Sequence, residues 1–538
     1  VSTDEILDVL GRRRSWCVEH GDCLEVLRGL PDACIDSVVT DPPYGIAFMG
    51  NTWDKFRGRG RGRTETEVPP GAGGDIASDA YVEYDVTLEG NRRYQAWCTE
   101  WAKELLRVLK PGGYLLATGA PRTYHRMTAG IEDAGFEIRD AKAWLFGSGF
   151  PKYLNVSKAI DDHLFGKWLE LNPEADGWWK ASAVLTRWVK QIPVGERDPV
   201  WKKRIKQARE MVKAAWGKKR EVIHRYAAGG NAAISIEEKG GTYVVGADSK
   251  GAEAIELTVT RGATKEARAW DGWTTALKPG FEPIVVARKP LEGTVAENVL
   301  KHGTGAMNID ACRVRTDWNE PDRPASWRKS GHSRKPEAEK LAAPPGDGID
   351  CHPGGRYPPN VLFAHTPGCV NECSDDCPVK LLEDLGGELG RFFPQFDWDQ
   401  DPGDPFLYTP KASRAEREAG CDGISSRAGS KAVRREAGSD GVNNPRAGAG
   451  RTAGAVRNAH PNVKPDALER WRVRLVTPPG GVVLDPFCGS GSVGRAAWAE
   501  GFRFVGIEKQ DTEDEPFVSI ARARIAFVAK SGRQLSLF

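Results

Sequence analysis

The sequence predicts a three-layer α/β domain, and three stretches carry that expectation. The apolar run Ile35-Asp36-Ser37-Val38-Val39-Thr40 ends in Asp41-Pro42-Pro43-Tyr44. The run Val482-Val483-Leu484 ends in Asp485-Pro486-Phe487-Cys488-Gly489-Ser490-Gly491 and passes into an Ala-rich helical stretch reaching Glu500. A further run, Phe502-Arg503-Phe504-Val505-Gly506-Ile507, ends in Glu508. Short apolar runs alternating with helical patterns are the mark of strands and helices layered in an α/β domain. Ligands of such sheets gather at the carboxyl ends of the strands, where Asp41, Asp485 and Glu508 all fall.

Each tip has its own chemistry. The two prolines after Asp41 fix φ and remove two N–H donors, so the turn is stiff. Asp41 and the carbonyl of Pro42 then offer two acceptors on a rigid frame. That arrangement suits an amine whose lone pair is delocalised into an aromatic ring and must be oriented before it can attack. Tyr44 adds an aromatic face on which a flipped base can stack. At the second tip, Gly489 and Gly491 let a ligand approach the backbone at a strand-to-helix turn. Glu508, on the next strand, is placed to accept hydrogen bonds from ribose hydroxyls. Read singly, each feature has a plainer explanation, since Asp and Pro are ordinary turn residues and Gly-rich turns are widespread. Their succession in one chain is the specific signal.

Together, with the Asp-Pro-Pro-Tyr motif ahead of the glycine loop, these stretches resemble the β class of DNA amino-methyltransferases. The resemblance extends to Gly21-Asp22, which matches the family position that contacts the adenine ring of the cofactor. It extends to the helix-like stretch Gln95 to Lys110, the stop Pro111-Gly112-Gly113 and the buried run Tyr114 to Thr118. Gly147 to Lys152 with Asn155 to Lys158, and Leu277 to Pro290, are also similar to family stretches. So is His460-Pro461-Asn462-Val463-Lys464-Pro465, which resembles the segment preceding the cofactor loop. The likeness covers residues 16–165, 270–312 and 455–530. It implies a Rossmann-like, S-adenosylmethionine-dependent methyltransferase domain assembled from separated segments, its sheet mostly parallel with a reversed edge strand. It implies methylation of an exocyclic amine in duplex DNA after base flipping, with Asp41, Pro42, Pro43 and Tyr44 at the transfer site. Asp22, Lys464, Asp485, Pro486, Phe487, Gly489, Ser490, Gly491 and Glu508 are the implied donor-holding residues. An Asp opening the tetrapeptide favours adenine N6. Cytosine N4, an RNA amine, or a DNA-binding role without catalysis stay open as alternatives.

A chain of 538 residues exceeds one ordinary domain, so inserted units are expected. We divide it into methyltransferase segments 1–165, 270–312 and 455–538, a basic Trp-containing insertion 166–269, and a target-recognition region 313–454. The end of that region, from Ala412 to Ala459, is Gly-, Ala-, Ser- and Arg-rich, a loop composition. A net charge of only +2 gives no global attraction to nucleic acid, so a DNA surface must come from local clusters. Arg57, Arg59, Arg61 and Arg63 alternate with glycines soon after Tyr44. They can hold phosphates beside a flipped nucleotide, or form a solvated loop. The run Lys202 to Arg220 is basic all round a helical turn, so a solvated face is an equal reading there.

His365, Cys369, Cys373 and Cys377 follow the pattern H-x3-C-x3-C-x3-C, a donor set for structural zinc, with unliganded reduced cysteines as the plain alternative. Eleven cysteines, a charged N-terminal stretch and no long apolar run predict a reduced, cytoplasmic protein without a membrane segment. Double-stranded DNA is the expected partner. A second copy of the chain and a cognate restriction enzyme complete the set to be looked for.

Overall fold

The computed structural model describes residues 4–45, 88–146, 154–191, 199–228, 255–277, 279–313, 357–362, 414–428, 455–460, 462–513 and 515–530. In chain order these form α1 (Asp4–Leu10), β1 (Trp16–His20), α2 (Cys23–Arg28), β2 (Ile35–Thr40), α3 (Leu88–Val108), β3 (Leu109–Thr118), α4 (Tyr124–Asp133) and β4 (Glu137–Leu145). Next come α5 (Val156–Glu170), α6 (Pro173–Gln191), α7 (Pro199–Trp216), β5 (Glu221–Ala228), β6 (Ile255–Arg261) and α8 (Lys265–Arg268). Then follow β7 (Phe281–Arg288), α9 (Val295–His302), β8 (Val361–Leu362), α10 (Arg414–Glu418), β9 (Arg427–Ala428) and β10 (Ala455–Val456). The last are α11 (Asp466–Val476), β11 (Val482–Asp485), α12 (Ser492–Ala499), β12 (Arg503–Glu508) and α13 (Phe517–Lys530).

One sheet organises the molecule, in the order β1-β12-β11-β2-β3-β7-β4-β8. Its strands alternate in which face they bury, as a pleated sheet covered on both sides must. Val38, Leu115, Val285, Leu484 and Val505 pack under α1 to α4 with Trp101 and Leu105. Their chain neighbours Val39, Leu116, Val286, Val483 and Phe504 pack under α11 to α13 with Trp471 and Ile525. These are the three layers expected.

The reversed strand is not where the sequence reading put it. β7 runs antiparallel to both β3 and β4 and lies between them, not at the edge. Seven of its eight residues are buried, and the five from Pro283 to Ala287 form an apolar run suited to an interior position. β4 exposes three consecutive residues and pairs outward only with the two-residue β8, so the outer place falls to it. Pro111-Gly112-Gly113 is likewise not a loop between helix and strand. β3 begins at Leu109 opposite Ile35, shifts register, and resumes with Tyr114 opposite Ser37, the tripeptide being absorbed as an irregularity with Gly112 at φ 77.

The basic insertion lies between β4 and β7. The chain leaves the sheet after β4 and returns through the bond from the Phe146 amide to the Gly280 carbonyl, 2.9 Å. α5 belongs to the inserted unit, because Phe165 and Leu169 share a small core with Trp179 of α6 and Val212 of α7. The boundary at residue 165 would cut through that helix. The unit is closed by the antiparallel pair β5–β6 and by Arg220, whose guanidinium meets Asp161 at 2.7 Å. Asp161 also accepts the amides of Ala263 and Thr264.

Part of the stretch expected as loop is packed. Glu418 of α10 accepts the Arg457 and Asn458 amides, and Cys421 lies buried against Phe517 and Ile520 of the main domain. No described helix is long and apolar enough to cross a membrane.

Candidate active site

β11 and β2 are adjacent and parallel, yet their crossover helices depart in opposite directions, α12 toward β12 and α3 toward β3. A crevice opens at such a point, beyond the carboxyl ends of the strands. Both motifs sit there. They are joined directly, for Thr40 Oγ1 donates to Asp485 Oδ1 at 2.7 Å.

On the β11 side, Asp485 Oδ1 also accepts the Phe487 amide, 3.1 Å. Gly489 (φ 52) and Gly491 (φ 78) occupy the left-handed region that favours glycine. A Cβ at Gly489 would meet the His460 ring at 2.8 Å, and one at Gly491 the Ala521 backbone at 3.0 Å. Glu508 accepts the Gly489 amide at 2.7 Å and the Gln510 amide at 2.8 Å, so it shapes the glycine turn at the end of β12. Asp22 caps α2 through the Leu24 amide and pairs with Lys509 at 2.9 Å. The Ser490 carbonyl is held by the buried Arg524 at 2.6 Å. The left-handed glycines and the two carboxylate-tipped strands fit a nucleoside-bearing methyl donor, while the lack of room for a Cβ reflects the packing of the turn on His460 and Ala521. Burial pushes His460 down to about 3, so its ring is neutral where it packs on Phe517.

Burial pushes Asp485 up from an ordinary 3.8 to about 7. The folded protein therefore holds this proton more tightly than the unfolded chain does. The associated stability is complete below about pH 4 and is lost as pH rises through about 7. Asp485→Asn should remove that dependence, so its stability advantage over the wild type should grow from pH 4 to pH 7 in urea unfolding. Parallel curves for the two proteins would contradict this.

On the β2 side, Tyr94 of α3 donates to the Pro43 carbonyl at 2.9 Å and Thr123, the N-cap of α4, to the Tyr44 carbonyl at 2.7 Å, pinning the tetrapeptide at two points. The Tyr44 hydroxyl donates to Asp41 Oδ1 at 2.7 Å, and Asn462 Nδ2 to Asp41 Oδ2 at 2.9 Å. Lys464 Nζ lies 3.0 Å from Asp41 Oδ2 and 2.8 Å from Glu282 Oε2, with 2.9 Å to the Tyr44 hydroxyl. Burial pushes the Asp41 carboxyl up, while the Lys464 ammonium pulls it back. Burial works against the Lys464 charge too, but Asp41 and Glu282 more than offset it. The Tyr44 phenol is driven well above its ordinary range by burial and by the two carboxylates, so it stays a donor.

Beneath the crevice, Arg472 holds Glu469 through both oxygens at 2.8 and 2.9 Å and donates to the Thr40 and Leu116 carbonyls. The structure thus brings Asp41, Tyr44, Asp485, Glu508 and the glycine turn to one end of the sheet. It places Lys464 on the Asp41 carboxylate, whereas the sequence resemblance had put it among the donor-holding residues. Glu282, Asn462, Thr40 and the Glu469–Arg472 pair had no role from sequence. The one local signal was a carboxylate, Glu282, opening the apolar run of β7. Arg57, Arg59, Arg61 and Arg63, and His365, Cys369, Cys373 and Cys377, lie outside the described residues. Among the described residues no group of three or more His, Cys, Asp or Glu is placed to hold a metal.

The family described as DNA methylase, covering the N6 and N4 enzymes, matches residues 35–163 and 265–515, which include both motifs. The chain belongs to this family. The stretch left unmatched between the two segments, 164–264, falls within the inserted unit of this DNA methylase family member. Among curated relatives, the chain is 25% identical over 134 residues to the type II methyltransferase M.HindIII of Haemophilus influenzae (strain ATCC 51907 / DSM 11121 / KW20 / Rd), covering 24% of this chain and 42% of that protein. It is 26% identical over 138 residues to the type II methyltransferase M.HinfI of Haemophilus influenzae, covering 23% of this chain and 30% of that protein. The chain thus spans less than half the length of either relative. Among solved structures, a PvuII DNA methyltransferase (cytosine-N4-specific) aligns over 95% of this chain and 88% of its own, at 11% identity and TM-score 0.33. The M1.HpyAVI–SAM complex aligns over 95% and 99%, at 10% identity and TM-score 0.29. At such scores the fold assignment rests on the strand order described above.

Proposed function

We propose that this protein methylates the exocyclic amine of a base in double-stranded DNA, adenine N6 by preference, with S-adenosylmethionine as donor. The observation that supports it most is the joining of the two motifs: Thr40, at the root of Asp-Pro-Pro-Tyr, bonds Asp485 at the root of the glycine turn. When bound, S-adenosylmethionine supplies a methyl group on a positively charged sulfur. Asp22 and Glu508 are assigned to its nucleoside, Asp485 to the strand tip between them, and the Gly489–Gly491 turn to the methionine part.

For the other reactant, Asp41 and the Pro42 carbonyl accept the two amine hydrogens and so hold the nitrogen lone pair toward the donor. The Tyr44 ring offers a stacking face to the flipped base. Asp41 is also the nearest carboxylate to receive the proton that the amine gives up on alkylation. Target recognition is assigned to residues 313–454. Adenine is preferred because an Asp opens the tetrapeptide, a tendency of the family that the chain resembles.

The test is incubation of the purified chain with unmodified DNA and isotope-labelled S-adenosylmethionine, followed by nucleoside mass spectrometry. Labelled N6-methyladenine is expected. Labelled N4-methylcytosine would keep the site and overturn the base. Label in RNA alone would overturn the DNA assignment, and donor binding with no transfer would make the protein a silent binder.

A further inference from the structure

Lys464 and Glu282 are buried, charged and in contact with the transfer site, yet neither has a part in the reaction as set out so far. An ammonium group has three N–H bonds. Around Lys464 stand three acceptors at hydrogen-bond distance: Asp41 Oδ2, Glu282 Oε2 and the Tyr44 hydroxyl. The side chain is only 4% exposed, so water has little part in satisfying it. Asn462 adds a second donor to the same Asp41 Oδ2. The two carboxylate oxygens of Asp41 are therefore unequal. Oδ2 is fixed by an amide and an ammonium, while Oδ1 carries the Tyr44 hydroxyl at 2.7 Å.

That hydroxyl has a second acceptor within reach, Glu282 Oε2 at 3.2 Å. A phenol O–H can turn from one acceptor to the other by rotation about a single bond. If an incoming amine takes Asp41 Oδ1, the Tyr44 O–H turns to donate to Glu282 and is not left without an acceptor. Charge points the same way. With Glu282 present the three ionised groups sum to −1, and Asp41 remains an effective acceptor. Without it, Lys464 and Asp41 form a neutral pair whose carboxylate is already committed.

We infer that Lys464 and Glu282 are positioning residues for methyl transfer: Lys464 fixes Asp41 Oδ2 so that Oδ1 faces the amine, and Glu282 balances Lys464 and accepts the Tyr44 hydroxyl's hydrogen bond when the base enters. The inference rests on the proposed methyltransferase reading and assigns the donor-loop neighbour Lys464 to the acceptor side of the site.

Groups that face Asp41 come from several elements. Tyr44 lies on its own turn, Glu282 on β7, Lys464 before α11, Glu469 with its Arg472 partner on α11, and Asp485 on β11. Only Lys464 and Glu282 are altered in the test, so the others act as a constant background. Glu282 pushes the Asp41 carboxyl up and Lys464 pulls it down. Removing them should therefore move the acid limb of the kcat profile in opposite directions.

The experiment uses the full chain, Glu282→Gln and Lys464→Met, with kcat on unmodified DNA at saturating S-adenosylmethionine followed across pH, and donor affinity by calorimetry. Glu282→Gln is expected to lower kcat and shift the acid limb to lower pH, and Lys464→Met to shift it to higher pH, each by about one unit. Donor affinity should be unchanged in both. Limbs that stay in place would overturn the inference. So would weakened donor binding in Lys464→Met with an unmoved limb, which would return that residue to the donor. Should Lys464→Met fail to fold, the near-isosteric Glu282→Gln decides alone by the same criteria. A wild-type chain that binds donor and methylates nothing would instead remove the proposed function, a result read before either variant.

Discussion

Asp41→Ala should abolish detectable methyl transfer while leaving donor affinity close to that of the wild type. The carboxylate is the one side-chain acceptor that the Asp-Pro-Pro-Tyr turn presents to an amine, and the turn keeps it in place by two other routes. Tyr94 holds the Pro43 carbonyl and Thr123 the Tyr44 carbonyl, neither of which the substitution touches. The donor cradle, formed by Glu508, Gly489 and Gly491, is built from a different segment. Loss of a positioned polar group at a reacting centre costs on the order of 10²–10³ in kcat, and more when it also receives the proton. Single-turnover transfer of labelled methyl, with calorimetry of donor binding, separates the two effects. Turnover near the wild-type rate would end the assignment of Asp41.

Arg472→Met should destabilise the fold by about 3–5 kcal/mol, the range for breaking a buried ion pair by removing one partner. Arg472 and Glu469 are both fully buried, and the guanidinium also satisfies the carbonyls ending β2 and lying within β3. The substitution strands a carboxylate and two backbone acceptors under the transfer site. Replacing both partners, as Glu469→Leu with Arg472→Met, should recover part of the loss because no charge is then left unpaired. Urea unfolding of the three proteins at one pH checks this. A single variant as stable as the wild type would show that the pair contributes nothing to the fold.

β2, β11, β12 and the second half of β3 were legible in the sequence because each holds a short, nearly continuous apolar run, whereas β4, with three consecutive exposed residues, was not. The acidic residues Asp41, Asp485 and Glu508 were legible as strand ends for the same reason. Strand order is another matter. Nothing local in Phe281–Arg288 states which strands it pairs with, and only its near-complete burial, known once it is folded, explains why it lies inside the sheet. The partners of Lys464 were hidden in the same way. They depend on how the segment before α11 crosses the ends of β2 and β7, which joins residues 41, 282 and 464. Glu282 reads in sequence as a strand boundary, and Arg472 as one more base on a helix, although it is among the most deeply buried side chains described.

The bond between Thr40 and Asp485 joins residues 445 positions apart. At the ~5–20 residues per second of protein synthesis, that interval is roughly 20–90 s. Throughout it, β2 has emerged while its neighbour β11 does not yet exist, so one flank of the nascent half-sheet has no partner. An unpaired flank of this kind invites pairing with other chains, a hazard that ribosome-bound chaperones would have to cover. On the proposed function the same delay is also a safeguard: a chain released early would carry the Asp-Pro-Pro-Tyr turn without the glycine turn assigned to the donor, and so could not transfer a methyl group.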